Sequence, residues 1–135
     1  MSRWQQWFSL FWFRRPERLG ARGERLAARF LRQRGMRILA RNHRNRLGEI
    51  DLIALDQRTI VFVEVRTRTG SHHGLPAETI SLKKQETLTR AALCFLKKHG
   101  WLDSPARFDV VTIVWGNPEA TEEIQHIPNA FPARE

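Results

Sequence analysis

The chain has little that would staple or anchor it. Cys94 is the one cysteine among 135 residues, which excludes an internal disulfide and a cysteine-based zinc site. In its apolar helical setting it reads as a small packed thiol, and a reducing cytoplasm is the natural setting. The most apolar run, WQQWFSLFWF, is too short to span a bilayer, and RRPE follows it where a signal peptide would have a small-residue cleavage site. The sequence has no Ser-His-Asp arrangement, phosphate-binding glycine loop or dinucleotide fingerprint. Repeats, low-complexity tracts and long linkers are also lacking. Acid is scarce in the first third. Residues 1–46 hold Glu17 and Glu24 against thirteen Arg, a net of +11, while residues 47–135 hold ten basic and twelve acidic side chains, a net of −2. The whole excess is therefore N-terminal, and all of it is arginine. The planar guanidinium fork suits phosphate, so nucleic acid leads as the polyanionic partner, ahead of an anionic membrane surface. General solubility is the plain alternative.

What is present fits one globular domain. The length allows a real core, and a hydrophobic fraction of 41% with eight Phe argues against disorder. Residues 1–18 form an aromatic and basic segment. Trp4, Trp7, Phe8 and Phe11 fall at i, i+3, i+4 and i+7, one helical stripe, and Pro16 ends it. Docking on the domain, self-association and contact of residues 1–15 with a membrane surface are the open readings. Residues 19–34 read as a helix with Leu26, Ala27, Phe30 and Leu31 inward and Gly35 as its stop; Glu24 sits on or beside that stripe. Strands follow at 36–42, 47–56 and 60–68, the last two joined by a tight turn at Gln57-Arg58. Residues 81–99 read as a second helix, with Ser81 as N-cap, Gly100 beyond its end, and Leu88, Ala91, Ala92 and Phe95 inward. RFDVVTIVW at 107–115 is a further strand and 122–128 an edge strand. The order suits a mixed α/β sheet flanked by helices.

The stretch GEIDLIALDQRTIVFVEVRTR carries the chemistry. Carboxylates stand there inside apolar strands, where burial costs several kcal/mol unless they are paired or coordinated. A symmetric hairpin centred between Gln57 and Arg58 sets Leu55 against Ile60, Ile53 against Phe62, Asp51 against Glu64 and Glu49 against Arg66. Opposed Cβ atoms lie roughly 4.5–5.5 Å apart. Two carboxylates at that separation repel, and a divalent cation between them turns the liability into a site. Alternatively, Arg66 neutralises Asp51 diagonally and the cluster is a set of ion pairs. Other polar residues carry less. His72 and His73 lie in a glycine-flanked loop without further metal ligands; they, His43 and Asn45 are candidates for nucleic-acid contact. Asp109 reads as a cap or ion-pair residue, and His99 and His126 as structural.

The runs GARGERLAARFL, GEIDLIALD, VFVEVRTR, RFDVV and NAF, in that order, resemble the YraN-like family of bacterial proteins over roughly residues 19–131. That family is similar in pattern to the PD-(D/E)xK nucleases, including Holliday-junction resolvases. The resemblance implies a restriction-endonuclease-like core: a helix, an antiparallel three-stranded meander, a helix and a further strand. Residues 19–131 would be this endonuclease-like domain. It implies that Glu24, Asp51, Glu64 and Arg66 are catalytic, and that Asp51, Glu64 and the Val65 carbonyl hold Mg2+ or Mn2+. Arg66 departs from the nuclease pattern, which has lysine there. Arginine can stabilise phosphate charge but is a poor proton acceptor. Lys83 or Lys84 could supply the missing ammonium, and Gln85 and Glu49 are further candidates; a solvated helix face is the alternative for the three helix residues. Arg22, Arg25, Arg29, Arg41, Arg44, Arg46 and Arg68 would track nucleic acid, with 41–46 as a loop. The function implied is a metal-dependent nuclease acting on DNA, branched or single-stranded, with a homodimer left open. An inactive nucleic-acid-binding module and an interaction or membrane-associated protein organised by the aromatic N-terminus are the alternatives.

Overall fold

A computed structural model describes residues 19–69, 80–116 and 122–134. The aromatic segment, including Pro16, and the His72-His73 loop lie outside the described residues. The chain runs α1 (Leu19–Gln33), β1 (Arg37–Asn45), β2 (Gly48–Asp56), β3 (Thr59–Thr69), α2 (Leu82–His99), β4 (Ala106–Trp115) and β5 (Glu122–Phe131). The five strands form one mixed sheet in the order β1-β2-β3-β4-β5. β1, β2 and β3 are an antiparallel meander, β3 and β4 are parallel across the α2 crossover, and β5 returns antiparallel. The fold is the α/β arrangement expected, a sheet with a helix on each face, consistent with a restriction-endonuclease-like core. Among the described residues no helix is long and apolar enough to cross a membrane.

Strand alternation divides the core in two. Ala27, Ala28 and Leu31 of α1 cover Leu52, Val61, Val63, Val111 and Ile113. Leu88, Ala91, Ala92 and Phe95 of α2 cover Ile50, Ile60, Phe62 and Val110 on the other face. Helix ends follow the local chemistry. Ser81 Oγ accepts the Lys84 N–H at 3.1 Å, and Gly100, at φ 71°, closes α2 in the left-handed region that glycine enters without strain. α1 presses hard on β3: a Cβ built at Gly23 would fall 2.2 Å from Thr67 Cγ2. Glycine at that point lets the helix approach and brings the next residue, Glu24, to the sheet.

Two differences from the sequence reading concern strand length. β1 runs on to Asn45, so Arg41–Asn45 is strand and not loop. Its polar sequence masked the period, because an edge strand can be hydrophilic on both faces. β5 continues past Pro128 to Phe131. A bulge between Val110↔Ile127 and Phe108↔Phe131 absorbs the proline, with Asn129 at φ 50°.

Candidate functional site

β2 and β3 pair from Asp56↔Thr59 beside the turn as far as Leu52↔Val63, in the register expected from the hydrophobic pattern. There the ladder ends. β2 goes on pairing with β1, through Arg44↔Glu49 and Asn45↔Gly48, while β3 stays with β4 to Thr69↔Trp115. Asp51 and Glu64 stand at this fork. Asp51 bridges the gap with its side chain: Oδ2 accepts the Val65 N–H at 2.8 Å. The carboxylate thus takes the role of a strand partner, and its other oxygen has no part in that bond.

Glu64 extends the Ile60–Phe62 row and is 9% exposed. Burial, then the charge of Asp51, push its carboxyl up to about 7, against the opposing pull of Lys84 and Arg66. Asp51 is raised as well. Its burial outweighs the Val65 hydrogen bond and the charge of Lys84, with smaller influences from Glu49 and Arg66. Glu24 is raised by burial and by Asp51, while a hydrogen bond with the Asn42 side chain and the charge of Arg41 hold it back. Three elements therefore bring three carboxylates into one field, with Lys84 and Arg66 as the cations that offset it. Asn42, at φ 51°, belongs to this set and is not evident from sequence; nothing in RNHRN marks it apart from its neighbour Asn45.

Several predicted residues go elsewhere. Glu49 is exposed and pairs with Arg44 on β1, not with Arg66, because the symmetric ladder does not reach it. Gln85 is buried and turned away: Nε2 donates to the Ile80 carbonyl at 3.0 Å and Oε1 accepts from Arg134 Nε at 3.1 Å. Lys83 is exposed beside Lys84. Arg22 lies over the Trp115 ring, 4.5 Å from its centroid. Arg25, Arg29, Arg41 and Arg46 are exposed and Arg68 is half-buried. His43 packs edge-on against Phe95, and Asn45 Nδ2 donates to the Ala91 carbonyl at 3.1 Å, so both tie β1 to α2.

The model of "Uncharacterised protein family UPF0102" matches residues 23–113. The chain belongs to the UPF0102 family. It is 48% identical over 113 residues to a UPF0102 protein of Geobacter metallireducens, covering 84% of this chain and 91% of that one. A UPF0102 protein of Pelotomaculum thermopropionicum is 44% identical over 113 residues, covering 84% and 94%. One from Symbiobacterium thermophilum is 47% identical over 116 residues, covering 86% and 98%. UPF0102 is the YraN-like family whose motifs the sequence displays. The family match spans α1 through most of β4, and so contains all three raised carboxylates, Arg66 and Lys84.

The donor set can be tested against a divalent cation. Among the described residues no three His, Cys, Asp or Glu side chains converge closely enough to hold a metal alone. Glu24 therefore does not complete a preformed cage. Two carboxylates remain at the fork, a number that suits magnesium or manganese, since Mg2+ keeps several waters and takes one or two carboxylates. The raised carboxyls point the same way, because an added positive charge relieves the repulsion that raises them.

Proposed function

We propose that this UPF0102 protein is a metal-dependent nuclease that hydrolyses phosphodiester bonds in DNA. The observation that carries the reading is the fork: two mutually repelling carboxylates, the half-buried Asp51 and the buried Glu64, where β2 leaves β3, with Lys84 and Arg66 beside them. Asp51, Glu64 and the Val65 carbonyl would hold Mg2+ or Mn2+, which when bound activates water and offsets phosphate charge. Arg66 donates its fork of N–H groups to the non-bridging phosphate oxygens as charge develops there. Lys84 supplies the ammonium that Arg66 does not, since its charge acts on both carboxylates. Glu24 adds to the repulsive field at Glu64 that favours the cation-bound form, and Asn42 orients Glu24. Arg41 and Arg29 offer exposed cations to the backbone.

The test is a cleavage screen over single-stranded, flapped and four-way DNA with Mn2+ or Mg2+, using Asp51→Asn and Glu64→Gln as controls. The expected result is cleavage by the natural protein and a loss of about a hundredfold or more in each variant. Equal cleavage by all three would assign the activity to a contaminant. Arg66 favours a second reading, a nucleic-acid-binding module without the chemistry. Its mark is salt-sensitive DNA binding that Asp51→Asn retains, with no cleavage of any substrate.

A further inference from the structure

A second surface lies along the C-terminal half of α2, beyond the fork. Lys97 is thirteen residues past Lys84, about 20 Å along the helix. There the β1–β2 turn rises beside α2 and encloses an open groove of about 760 Å3. Leu47, Leu93 and Leu102 are exposed to 42%, 43% and 54% and form its apolar floor. Arg46, Arg90, Lys97 and Lys98 stand around them, and among the described residues lining the groove none is acidic. Large aliphatic side chains left in water at one place mark a contact surface. A rim of four like charges states which partner it takes.

We infer that this groove docks an acidic amphipathic helix of a partner protein. Leucines across a concave floor fit the i, i+3, i+4, i+7 ridge of a helix, and the cations meet carboxylates on its flanks. Charge argues against a second copy and against the chain's own N-terminal segment. A second copy of the same groove would set four cations against four. Residues 1–18 are apolar enough but carry four Arg and one Glu, so they are repelled as well. A lipid bilayer meets a convex or flat face and cannot follow a groove. Single-stranded nucleic acid stacks its bases on aromatic faces, and among the described residues lining the groove none is aromatic.

The probe is a fluorescein-labelled synthetic peptide of about five helical turns, with Leu on one stripe and Glu on the flanks. Fluorescence anisotropy against the full chain is expected to show saturable binding. A scrambled peptide of equal composition, and the Leu93→Asp and Lys97→Glu variants, should each bind about tenfold weaker or worse. Circular dichroism checks the fold of each variant; should Leu93→Asp unfold, Lys97→Glu carries the test, because Lys97 is exposed. Binding of the scrambled peptide as tightly as the amphipathic one overturns the inference. So does peptide binding that neither variant weakens. Leu93-dependent binding of phosphatidylglycerol vesicles, of dT20 or of a second copy in sedimentation, without peptide binding, overturns it in favour of that occupant. DNA cleavage by these variants is a separate measurement, and its outcome bears on the fork alone.

Discussion

Asp109 and Glu64 are acids of adjacent strands, one register step apart, and the protein treats them in opposite ways. Asp109 lies level with Val63 and Glu64 with Val110. Asp109 is fully buried and every approach to it brings a donor. Oδ1 accepts from Arg107 Nε and from the Asn129 N–H, each at 2.9 Å. Oδ2 accepts from His126 Nε2 at 2.8 Å and from the second Arg107 donor at 3.2 Å, and Arg107 reaches on to Asp56 at 3.0 Å. Burial would raise its carboxyl, but the His126 and Arg107 hydrogen bonds win and hold it low. Glu64 has burial and a neighbouring acid, and the nearby cations do not offset them. One buried carboxylate is answered by its own chain and fixes the β5 bulge. The other is left wanting positive charge, which is a mark of a binding site.

The sharpest way to break that contrast is to delete each acid. Asp109→Ala strips Arg107 and His126 of their shared partner and should cost about 3–5 kcal/mol in denaturant unfolding. Asp51→Asn in metal-free buffer should change stability by less than about 1 kcal/mol, because it removes repulsion as well as a hydrogen bond. Equal losses would show that the fork is as structural as the Asp109 network. Next in size is pH. Glu64 in the folded chain holds its proton up to about pH 7, whereas an unfolded glutamate releases it near 4.5. Between those values the folded state binds more protons, so stability falls as pH rises, by up to about 3 kcal/mol once pH exceeds 7. Thermal melts in EDTA at pH 5 and pH 8 should show the fall, and Glu64→Gln should reduce it, leaving the smaller part that the raised Asp51 and Glu24 carboxyls contribute with the same sign. Asp109 has the reverse sign: its contribution is present at neutral pH and fades on acidification below the ordinary carboxylate range.

A smaller effect tests how Glu24 is brought to the fork. Gly23→Ala gains about 1 kcal/mol of helix propensity but drives a methyl into Thr67, and overpacking costs about 1–3 kcal/mol. The net loss should be about 1 kcal/mol, and Thr67→Ala in the same chain should recover it. An additive double variant would sink the close-approach argument. Smallest is Ser81→Ala, which removes the cap of the helix that carries Lys84 and should cost about 1 kcal/mol or less in chemical denaturation.

Much of this was legible in the residues. Both helices, the caps of α2 and the β2–β3 register as far as Leu52↔Val63 follow from spacing and turn chemistry; Asp51 and Glu64 fall one step beyond the last pair, where their charges still act on each other. The fork was not legible. A hydrophobic pattern sets which residues face each other while a ladder lasts, but not where it stops. Extrapolating the ladder assigned Glu49 to Arg66, when the β1 pairing gives it to Arg44. Asp109 was readable as an ion-pair residue, but its partner Asn129 comes from a bulge that no alternation signals, and His126 from the paired stretch of β5 just before it. The choice of Lys84 over Gln85 likewise depends on Arg134, which reaches Gln85 from the far end of the chain.

Among the described residues, both rims of the sheet carry features that discourage a sixth strand. β5 ends in a bulge built on Pro128 and Asn129, and β1 carries exposed Arg37, Arg41 and Arg44 around a register break between Ile38 and Ala40. Proline, bulges and like charges are the devices by which proteins keep strands from zipping edge to edge. A sheet so edged keeps its backbone ladders for its own chain.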